Sequence, residues 1–442
     1  MKLTLPPLEI SETEGFSDEK DIFGRKVYGE NLLNLINKTD DELVIALDAA
    51  WGQGKSTFIK MWRGHLLNEG FQSIYFDAFE NDYQTDPFLA ISSEIYSLIT
   101  DENKRNDFKE KAVKALSVIS TTALKAGLSG VTGGLIYIPA GTSQDITKAA
   151  SDLYADYLEE KIINSKVEKQ SIVNFKTHLE GLSRTLADGK KLIFVIDELD
   201  RCKPKFALAI IESIKHLFST KNLCFVLVVN RGQLEESVRH EYGSNIDASG
   251  YLTKFITLWN TLPKDLKEEK LDTFTYLLKC SESMNFKFDD YNQELLKFFQ
   301  DINELFELSL RDIERALTNF SLLINTHTSN QSRDYNLIYL CYWILSVMKL
   351  KTPDDYSIIT NKYLDHSNIN SKLNNLPNRE YFNEVTNLSF RVMDFMSRKD
   401  LRQSNIGGYI DVNSRLMSSL DWYRKNIGLS GLGRILDTIS LD

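Results

Sequence analysis

Two groups of residues in this sequence could do chemistry together, although they lie far apart along the chain. Gly54, Lys55 and Ser56 follow a short apolar run. The backbone N–H groups of such a loop, the N-terminus of the following helix and a lysine ammonium are the donors that nucleotide phosphates need. Asp197 and Glu198 follow a second apolar run, and they could supply a metal ligand and a general base. The combination predicts both halves of a phosphoryl-transfer site.

The loop before Lys55 is predicted to hold phosphates mainly through its backbone. Gly52 and Gly54 let N–H groups face the phosphates, Lys55 would reach the β- and γ-phosphates, and the Ser56 hydroxyl would bind Mg²⁺. Ala49 stands where this loop pattern usually begins with glycine. That glycine often adopts a conformation that alanine tolerates poorly, so the pattern leaves the loop geometry open. The residues predicted to contact the nucleotide are Ala50, Trp51, Gly52, Gln53, Gly54, Lys55, Ser56 and Thr57.

The acidic motif follows the apolar run at 192–196. Such a run is typical of a central parallel strand, and ligands bind at the carboxyl ends of such strands. Asp197 is predicted to hold Mg²⁺ directly or through water, and Glu198 to polarise the attacking water. The alternatives are a solvated acidic turn here and a chance Gly-Lys-Ser match in the loop. The presence of both motifs disfavours both alternatives.

Length and composition describe a folded protein of about two or three domains. The chain has 442 residues, of which 26% are charged and 42% are hydrophobic, with a net charge of −10. This negative charge gives no strong nucleic-acid signal, because broad binding of nucleic acid requires an excess of Lys and Arg. The cysteines are widely spaced without a C-x-x-C pair, which indicates neither a zinc site nor a disulfide framework. With no signal-peptide core at the start, the expected location is the cytoplasm.

The order of predicted elements indicates an α/β fold with a parallel sheet, flanking helices and one long insertion. After a polar lead-in at 1–20, strands alternate with helices as far as 262, and helices alone follow. The interval between the two motifs is much longer than a strand–helix–strand unit needs, so it must contain an insertion. The predicted division is a first core part at 1–100, a helical insertion at 101–170, a second core part at 171–262, a helical lid at 263–330 and an all-α C-terminal region at 331–442.

The middle of the insertion, 112–139, is poor in charge and rich in small residues. Ala126, Gly130 and Gly134 recur at a four-residue spacing, which is the pattern of close helix contacts. Few of the uncharged residues are large and apolar, whereas a membrane-spanning helix needs about 20 predominantly apolar residues. The composition therefore favours a helical hairpin or an interface element. A membrane segment is the alternative.

Four further residues are candidates for a role in hydrolysis. Asn230 follows the strand predicted at 223–229, where it could orient the attacking water or simply cap the strand. Arg311 lies on a helix beyond the core and could reach the nucleotide, although a surface ion pair is the commoner role of such an arginine. Arg201 and Arg231 are candidates for an arginine finger supplied by a neighbouring copy. Structural ion pairs are the alternative for both.

The sequence resembles the KAP family of P-loop NTPases over roughly residues 20–325. Its most specific segments are the loop Trp51–Ser56 and the acidic segment at 197–202, which reads Asp-Glu-Leu-Asp-Arg-Cys. Weaker matching segments lie at Phe23–Arg25, Tyr75–Phe79, Tyr251–Phe255 and Arg311–Arg315. Because the matching segments occur in a fixed order, the resemblance covers most of the predicted core and lid.

The resemblance implies a P-loop NTPase core with an extra strand between the two nucleotide motifs, followed by a helical lid. It also implies ATP and Mg²⁺ as ligands and places Arg25 near the nucleotide base, with a helix N-terminal turn as the alternative role. In many members the insertion carries transmembrane helices, whereas here it is only mildly hydrophobic. The sequence departs from the family pattern at three positions, with Ala49 in place of glycine, Phe79 in place of tryptophan and Asn230 in place of an acidic residue.

The favoured hypothesis is an ATPase that couples hydrolysis to conformational change or assembly, as a homo- or hetero-oligomer. Bacterial relatives that exclude phage, some encoded beside nucleases or nucleotide-modifying enzymes, imply a defence role with such a partner. One alternative is a nucleotide-gated scaffold with little turnover that recruits an effector such as a nuclease. Another is a membrane-associated organising NTPase that uses 112–139.

Overall fold

The computed structural model describes the chain between residues 2 and 360, with several gaps. The gaps are 130–169, 264–272, 287–298 and 327–334, together with the single positions 7, 85, 301 and 305. Predictions that concern 130–139 and 361–442 fall outside the described residues.

Helices and strands alternate through the first part of the described chain and helices follow. The strands are β1 (Leu43–Asp48), β2 (Ser73–Asp77), β3 (Leu192–Asp197), β4 (Leu223–Val229) and β5 (Leu258–Thr261). The helices are α1 (Lys26–Lys38), α2 (Lys55–Asn68), α3 (Pro87–Leu98), α4 (Glu102–Ser129), α5 (170–186), α6 (Pro204–Ser213), α7 (Arg231–Tyr242), α8 (Ala248–Leu252), α9 (Thr273–Ser283), α10 (Leu310–Thr326), α11 (Tyr335–Lys351) and α12 (Pro353–Thr360).

The five strands form one parallel sheet in the order β2-β3-β4-β1-β5. Along the chain, β2 lies between β1 and β3, the two strands that precede the nucleotide motifs. In the sheet, β4 lies between β1 and β3. The predicted parallel sheet with an extra strand is therefore confirmed. Asp48 pairs with Val229 and Asp77 pairs with Asp197, so the ends of these strands are aligned at one edge of the sheet. The short strand β5 was not predicted.

Both faces of the sheet are buried, which explains why β1, β3 and β4 are almost continuously apolar. On one face, Ile45 of β1 packs with Phe58 and Trp62 of α2. On the other face, the rings of Phe194 and Phe225 lie 5.3 Å apart in a core formed with α3, α5, α6 and α7. Because the strands are parallel, the polar residues that follow them meet at the carboxyl edge of the sheet.

Helix α4, where the predicted insertion begins, and helix α5, which follows the insertion, pack on the core. Phe108 of α4 and Phe175 of α5 have ring centroids 5.9 Å apart, and both are buried. No helix among the described residues combines the length and the apolar character needed to cross a bilayer. The small-residue pattern at Gly130 and Gly134 lies outside the described residues.

Helices α9 and α10 lie within the predicted lid at 263–330, and α11 follows it in the predicted C-terminal region. Phe320 of α10 and Trp343 of α11 pack with ring centroids 5.9 Å apart, and Phe299 stacks on Trp343 at 4.7 Å. The apolar residues of α10 lie on one face, which is typical of a helix packed on one side. The N-terminus of α10 is fixed by Ser309, whose hydroxyl and backbone N–H both donate to the Asp312 carboxylate.

Residues 2–25, which we call the N-terminal strap, connect the core to the lid. Phe16 packs 5.8 Å from Phe58, ring centre to ring centre, so the lead-in expected to be polar has an apolar anchor in the core. At the lid, the backbone N–H of Lys2 donates to the carbonyl of Met284 at 2.5 Å, and the Ser321 hydroxyl donates to the strap at 3.0 Å. The strap therefore forms one wall of the space between core and lid.

Candidate functional site

The phosphate loop lies between β1 and α2. Gly52 and Gly54 have φ values of +77° and +78°, in the left-handed region that favours glycine, and Gly54 is the N-cap of α2. Ala49 does not have a positive φ, and its N–H donates to the carbonyl of Val229 at 3.1 Å. The conformation of Ala49 is therefore compatible with alanine, which answers the question that the missing glycine raised.

Lys55 is folded back onto the loop that precedes it. Its Nζ donates to the carbonyl of Ala49 at 2.6 Å and lies 3.4 Å from the carbonyl of Ala50. Burial lowers the pKa of Lys55, whereas nearby carboxylates oppose this shift by stabilising the ammonium. These carboxylates belong to Asp200, Asp197, Glu198 and Asp48.

Asp197 is almost fully buried, with 1% of its surface exposed. Its carboxylate accepts hydrogen bonds from the N–H of Glu198 at 2.8 Å and from the hydroxyl of Tyr75 at 3.2 Å. Burial raises the pKa of Asp197, while hydrogen bonds from Ser56, Glu198 and Tyr75 act in the opposite direction. The structure thus places the two predicted metal ligands, Ser56 and Asp197, close to each other.

The donor set of Ser56 and Asp197 suits Mg²⁺, which prefers oxygen ligands. In nucleotide sites Mg²⁺ takes one or two protein ligands and completes its octahedron with phosphate oxygens and water. Throughout the described parts of the chain, no group of three or more His, Cys, Asp or Glu side chains is arranged to hold a metal ion.

Glu198 has a φ of +60°, which is rare for a residue with a side chain. It begins a single 3-10 turn, Leu199–Arg201, and its carboxylate forms an ion pair with the Arg201 guanidinium. Burial and the neighbouring Asp197 raise the pKa of Glu198, and Arg201 opposes them. Within this chain, Arg201 therefore forms a structural ion pair, which was the alternative to a role as an arginine finger.

Asn230 and Arg231 both make contacts within the chain at the end of β4. The Asn230 side chain accepts a hydrogen bond from the N–H of Gln233 at 3.4 Å and caps α7. Arg231 forms an ion pair with Glu235 at 2.9 Å and lies 4.7 Å from the ring centre of Trp259. Asn230 thus caps the helix that follows the strand, whereas the alternative named a cap of the strand itself. Its role towards water and the arginine finger in trans stay predictions.

Arg25 is buried beneath the phosphate loop, with 2% of its surface exposed. Its guanidinium donates to the carbonyl of Gln53 at 3.1 Å and to the carbonyl of Pro263 at 2.9 Å. Burial lowers the pKa of Arg25 to about 10, so it stays charged at neutral pH. Its Nη2 is buried without a hydrogen-bond partner among the described residues. Arg25 therefore supports the loop and has one donor left for a ligand.

Replacing Arg25 by lysine is expected to lower the free energy of unfolding by about 1–3 kcal/mol, because one ammonium cannot serve both carbonyls of Gln53 and Pro263. Urea unfolding of the full chain would measure the change. The matched control is Arg239→Lys on the surface of α7, where partly exposed ion pairs predict a change of about 0.5 kcal/mol or less. Equal effects of the two substitutions would contradict a supporting role of Arg25.

A cavity of about 630 Å³ extends from the phosphate loop to the lid, within the size range of ligand pockets. Its walls come from the N-terminal strap, the loop, the acidic segment, α9 and α10. Arg311 and Glu314 of α10 line it, and Tyr276 of α9 donates a hydrogen bond to Glu314. Within the described chain, no carboxylate forms an ion pair with Arg311, and its reach to the nucleotide stays a prediction.

Most predicted residues meet in this cavity. Those in its lining are Arg25, Trp51, Gly52, Gly54, Lys55, Ser56, Thr57, Glu198, Arg201 and Arg311. Sequence reasoning missed the role of Tyr75, which holds Asp197, although the alternating burial of β2 offered a signal. Tyr75 and Asp77 lie on the same face of β2, so an alternating reading of this strand would have directed both towards the site.

A parallel sheet with a phosphate loop after β1 and acidic residues after β3 defines a P-loop NTPase domain. The sequence model of the KAP family P-loop domain matches residues 25–326, about two thirds of the chain. The chain belongs to this family, as the resemblance of its motifs predicted.

Similarity to individual proteins is more limited. An uncharacterized protein of Methanocaldococcus jannaschii is 37% identical over 108 residues, which are 24% of this chain and 53% of that protein. The chain thus spans about half the length of this curated relative. Two structures of the Aeropyrum pernix ORC2 protein, an ADP form and ADPNP-ADP complexes, align over 95% and 97% of this chain and over 95% and 96% of their own. Their TM-scores are 0.34 and 0.32 at 11% and 14% identity, values too low to support an argument.

Proposed function

We propose that the protein binds MgATP in the cavity between core and lid and hydrolyses it. The observation that carries this proposal is the meeting of Lys55, Glu198 and Arg311 around one cavity. A phosphate-binding loop, a carboxylate base and a cation on the lid are the parts that phosphoryl transfer requires. The preference for ATP over other nucleotides comes from the family resemblance.

The triphosphate would lie along the phosphate loop with its base towards the strap and α9. Lys55 Nζ would leave the carbonyl of Ala49 and bind the β- and γ-phosphates, while the N-terminus of α2 stabilises their charge. Arg25 Nη2, which is buried and unpaired among the described residues, would donate to the nucleotide. Ser56 and Asp197 would hold Mg²⁺, which neutralises phosphate charge when it is bound.

Hydrolysis would begin when Glu198 turns from Arg201 towards a water beside the γ-phosphate. The carboxylate accepts a proton as the water oxygen attacks the γ-phosphorus, and the bond to the bridging β–γ oxygen breaks to give ADP and phosphate. Asn230, which follows the strand between β1 and β3, would orient this water. Arg311 would stabilise charge on the transferred phosphoryl group from the lid side.

Coupling to the lid would run through the contact between the phosphate loop and α10. The backbone N–H of Leu310 donates to the carbonyl of Gly52 at 3.0 Å. A side chain at Gly52 would lie 2.8 Å from the Ser309 hydroxyl, so the two segments are in close contact. A change in the conformation of the loop on hydrolysis would therefore shift the start of α10.

A second candidate, a nucleotide-gated scaffold with little turnover, is favoured by the ion pair between Glu198 and Arg201. A carboxylate held by an arginine is a weaker base than one directed at water. In this case the chain would bind ATP stably, and a partner that displaces Arg201 would start hydrolysis.

Steady-state phosphate release by the purified full chain with MgATP distinguishes the two candidates. Turnover that requires Lys55 supports the ATPase, whereas tight binding of ATP without phosphate release supports the scaffold. A chain that binds no nucleotide at millimolar concentration would contradict both. An oligomer, a nuclease or nucleotide-modifying partner, a role in anti-phage defence and a cytoplasmic location belong to the proposal through the family resemblance.

A further inference from the structure

We propose that Asp200 is a positioning residue that holds the phosphate loop in its nucleotide-binding shape through the indole N–H of Trp51. This inference rests on the proposed function, because the shape of the loop matters only if the loop binds a nucleotide. Asp200 is the third carboxylate of the acidic segment. The proposed mechanism uses Asp197 for the metal and Glu198 for the attacking water, so this inference gives Asp200 a role of its own.

The contact between the two side chains is direct. Trp51 Nε1 donates to Asp200 Oδ2 at 2.5 Å, across 149 positions of sequence. Asp200 is 8% exposed and lies in the 3-10 turn that follows Glu198, so its position is fixed by the core. A hydrogen bond to an ionised carboxylate is about twice as strong as one between neutral groups. The acidic segment thus holds the loop at one defined atom.

Burial alone does not fix Trp51, since 43% of its surface is exposed. A large apolar side chain with so much exposed surface gains little from packing, and the hydrogen bond supplies the restraint that packing does not. The loop needs such a restraint, because glycines at positions 52 and 54 are free to adopt many backbone conformations. Trp51 comes directly before Gly52, so its hydrogen bond to Asp200 restricts the loop to one of these conformations.

The loop is held on its other side by the lid. Gly52, directly after Trp51, accepts the hydrogen bond from Leu310 at the start of α10. The carbonyls of Ala49 and Ala50, directly before Trp51, face Lys55 Nζ. A displacement of the indole would therefore move the peptide groups that surround the phosphates. Asp200 and α10 act on neighbouring residues of one short loop.

Two substitutions separate the hydrogen bond from the charge. Trp51→Phe keeps an aromatic ring and the Asp200 charge but removes the N–H donor. Asp200→Asn keeps the size of the side chain but removes the charge, which also stabilises the Lys55 ammonium. If ring stacking on the nucleotide were the role of Trp51, phenylalanine would preserve affinity, whereas the positioning role predicts a loss.

The experiment measures the Kd of a non-hydrolysable ATP analogue with Mg²⁺, together with kcat and KM, for the full chain. Trp51→Phe is expected to raise Kd and KM about five- to tenfold with kcat within about twofold, as loss of one charge-assisted hydrogen bond predicts. In the double variant with Asp200→Asn, the loss caused by Trp51→Phe is expected to be smaller than in the wild-type background, because the amide oxygen that replaces the carboxylate can accept only a neutral hydrogen bond. Controls are Trp259→Phe, whose indole N–H has no partner among the described residues, and the exposed Asp41→Asn.

Urea unfolding without nucleotide separates positioning from general stability. The positioning role predicts that Trp51→Phe lowers nucleotide affinity by more free energy than it lowers the free energy of unfolding of the nucleotide-free chain, and a loss of stability as large as the loss of affinity would overturn it. Wild-type affinity in Trp51→Phe, or additive losses in the double variant, would also overturn it and leave the proposed function intact. A wild-type chain that binds no nucleotide would instead remove the proposed function and this inference with it.

Discussion

Replacing Glu198 by glutamine is expected to reduce turnover by about 10²- to 10⁴-fold and to leave ATP affinity within about twofold. Glutamine has nearly the same shape as glutamate but cannot accept the proton of the attacking water. Its side chain carries no charge, so the ion pair with Arg201 is lost as well. Single-turnover phosphate release and equilibrium binding of ATP, measured on the same preparation, give the two numbers.

The control for this substitution is Glu236→Gln on the exposed side of α7. Glu236 is 66% exposed and pairs with Arg239, so its loss is expected to change neither turnover nor affinity. Normal turnover in Glu198→Gln would contradict the assignment of the base. A rise in turnover would indicate that release of Arg201 matters more than proton transfer, as the scaffold alternative implies.

Replacing Lys55 by alanine is expected to weaken ATP binding by about 10²- to 10³-fold, because charge-assisted contacts to two phosphates are lost. The protein should still fold, since the contacts of Lys55 Nζ are to carbonyls of its own loop. Isothermal titration with MgATP measures the loss.

The matched control is Lys60→Ala, an exposed lysine on the same helix. It changes the net charge equally but does not line the cavity, so affinity should stay within about twofold. If both lysines reduced affinity alike, general electrostatic attraction would explain binding and Lys55 would have no specific role. If neither did, the phosphate-binding assignment of the loop would be wrong.

The sheet and the phosphate loop were predictable because their signals are local. Apolar runs before Asp48 and Asp197 indicate buried parallel strands, and the sheet then aligns the polar residues that follow them. The family motifs added the lid and the order of the nucleotide segments. The role of β5 was missed because Leu258–Thr261 is short and only partly buried, so it has little apolar patterning.

The contacts that tune the site were beyond sequence reasoning, because they join distant residues. Nothing at position 51 or 200 indicates that an indole and a carboxylate meet. The left-handed backbone of Glu198 and its ion pair with Arg201 depend on how a single turn is seated on the core. Such features depend on tertiary packing, and no local pattern in the sequence indicates them.

The N-terminal strap also limits how the lid can move. The start of α10 contacts the phosphate loop through the hydrogen bond between Leu310 and Gly52, and the strap contacts the helices beyond the core at Met284 and Ser321. A movement of α10 away from the loop would therefore either break the strap contacts or carry the strap with it. Because the strap also lines the cavity, such a movement would change two of its walls together.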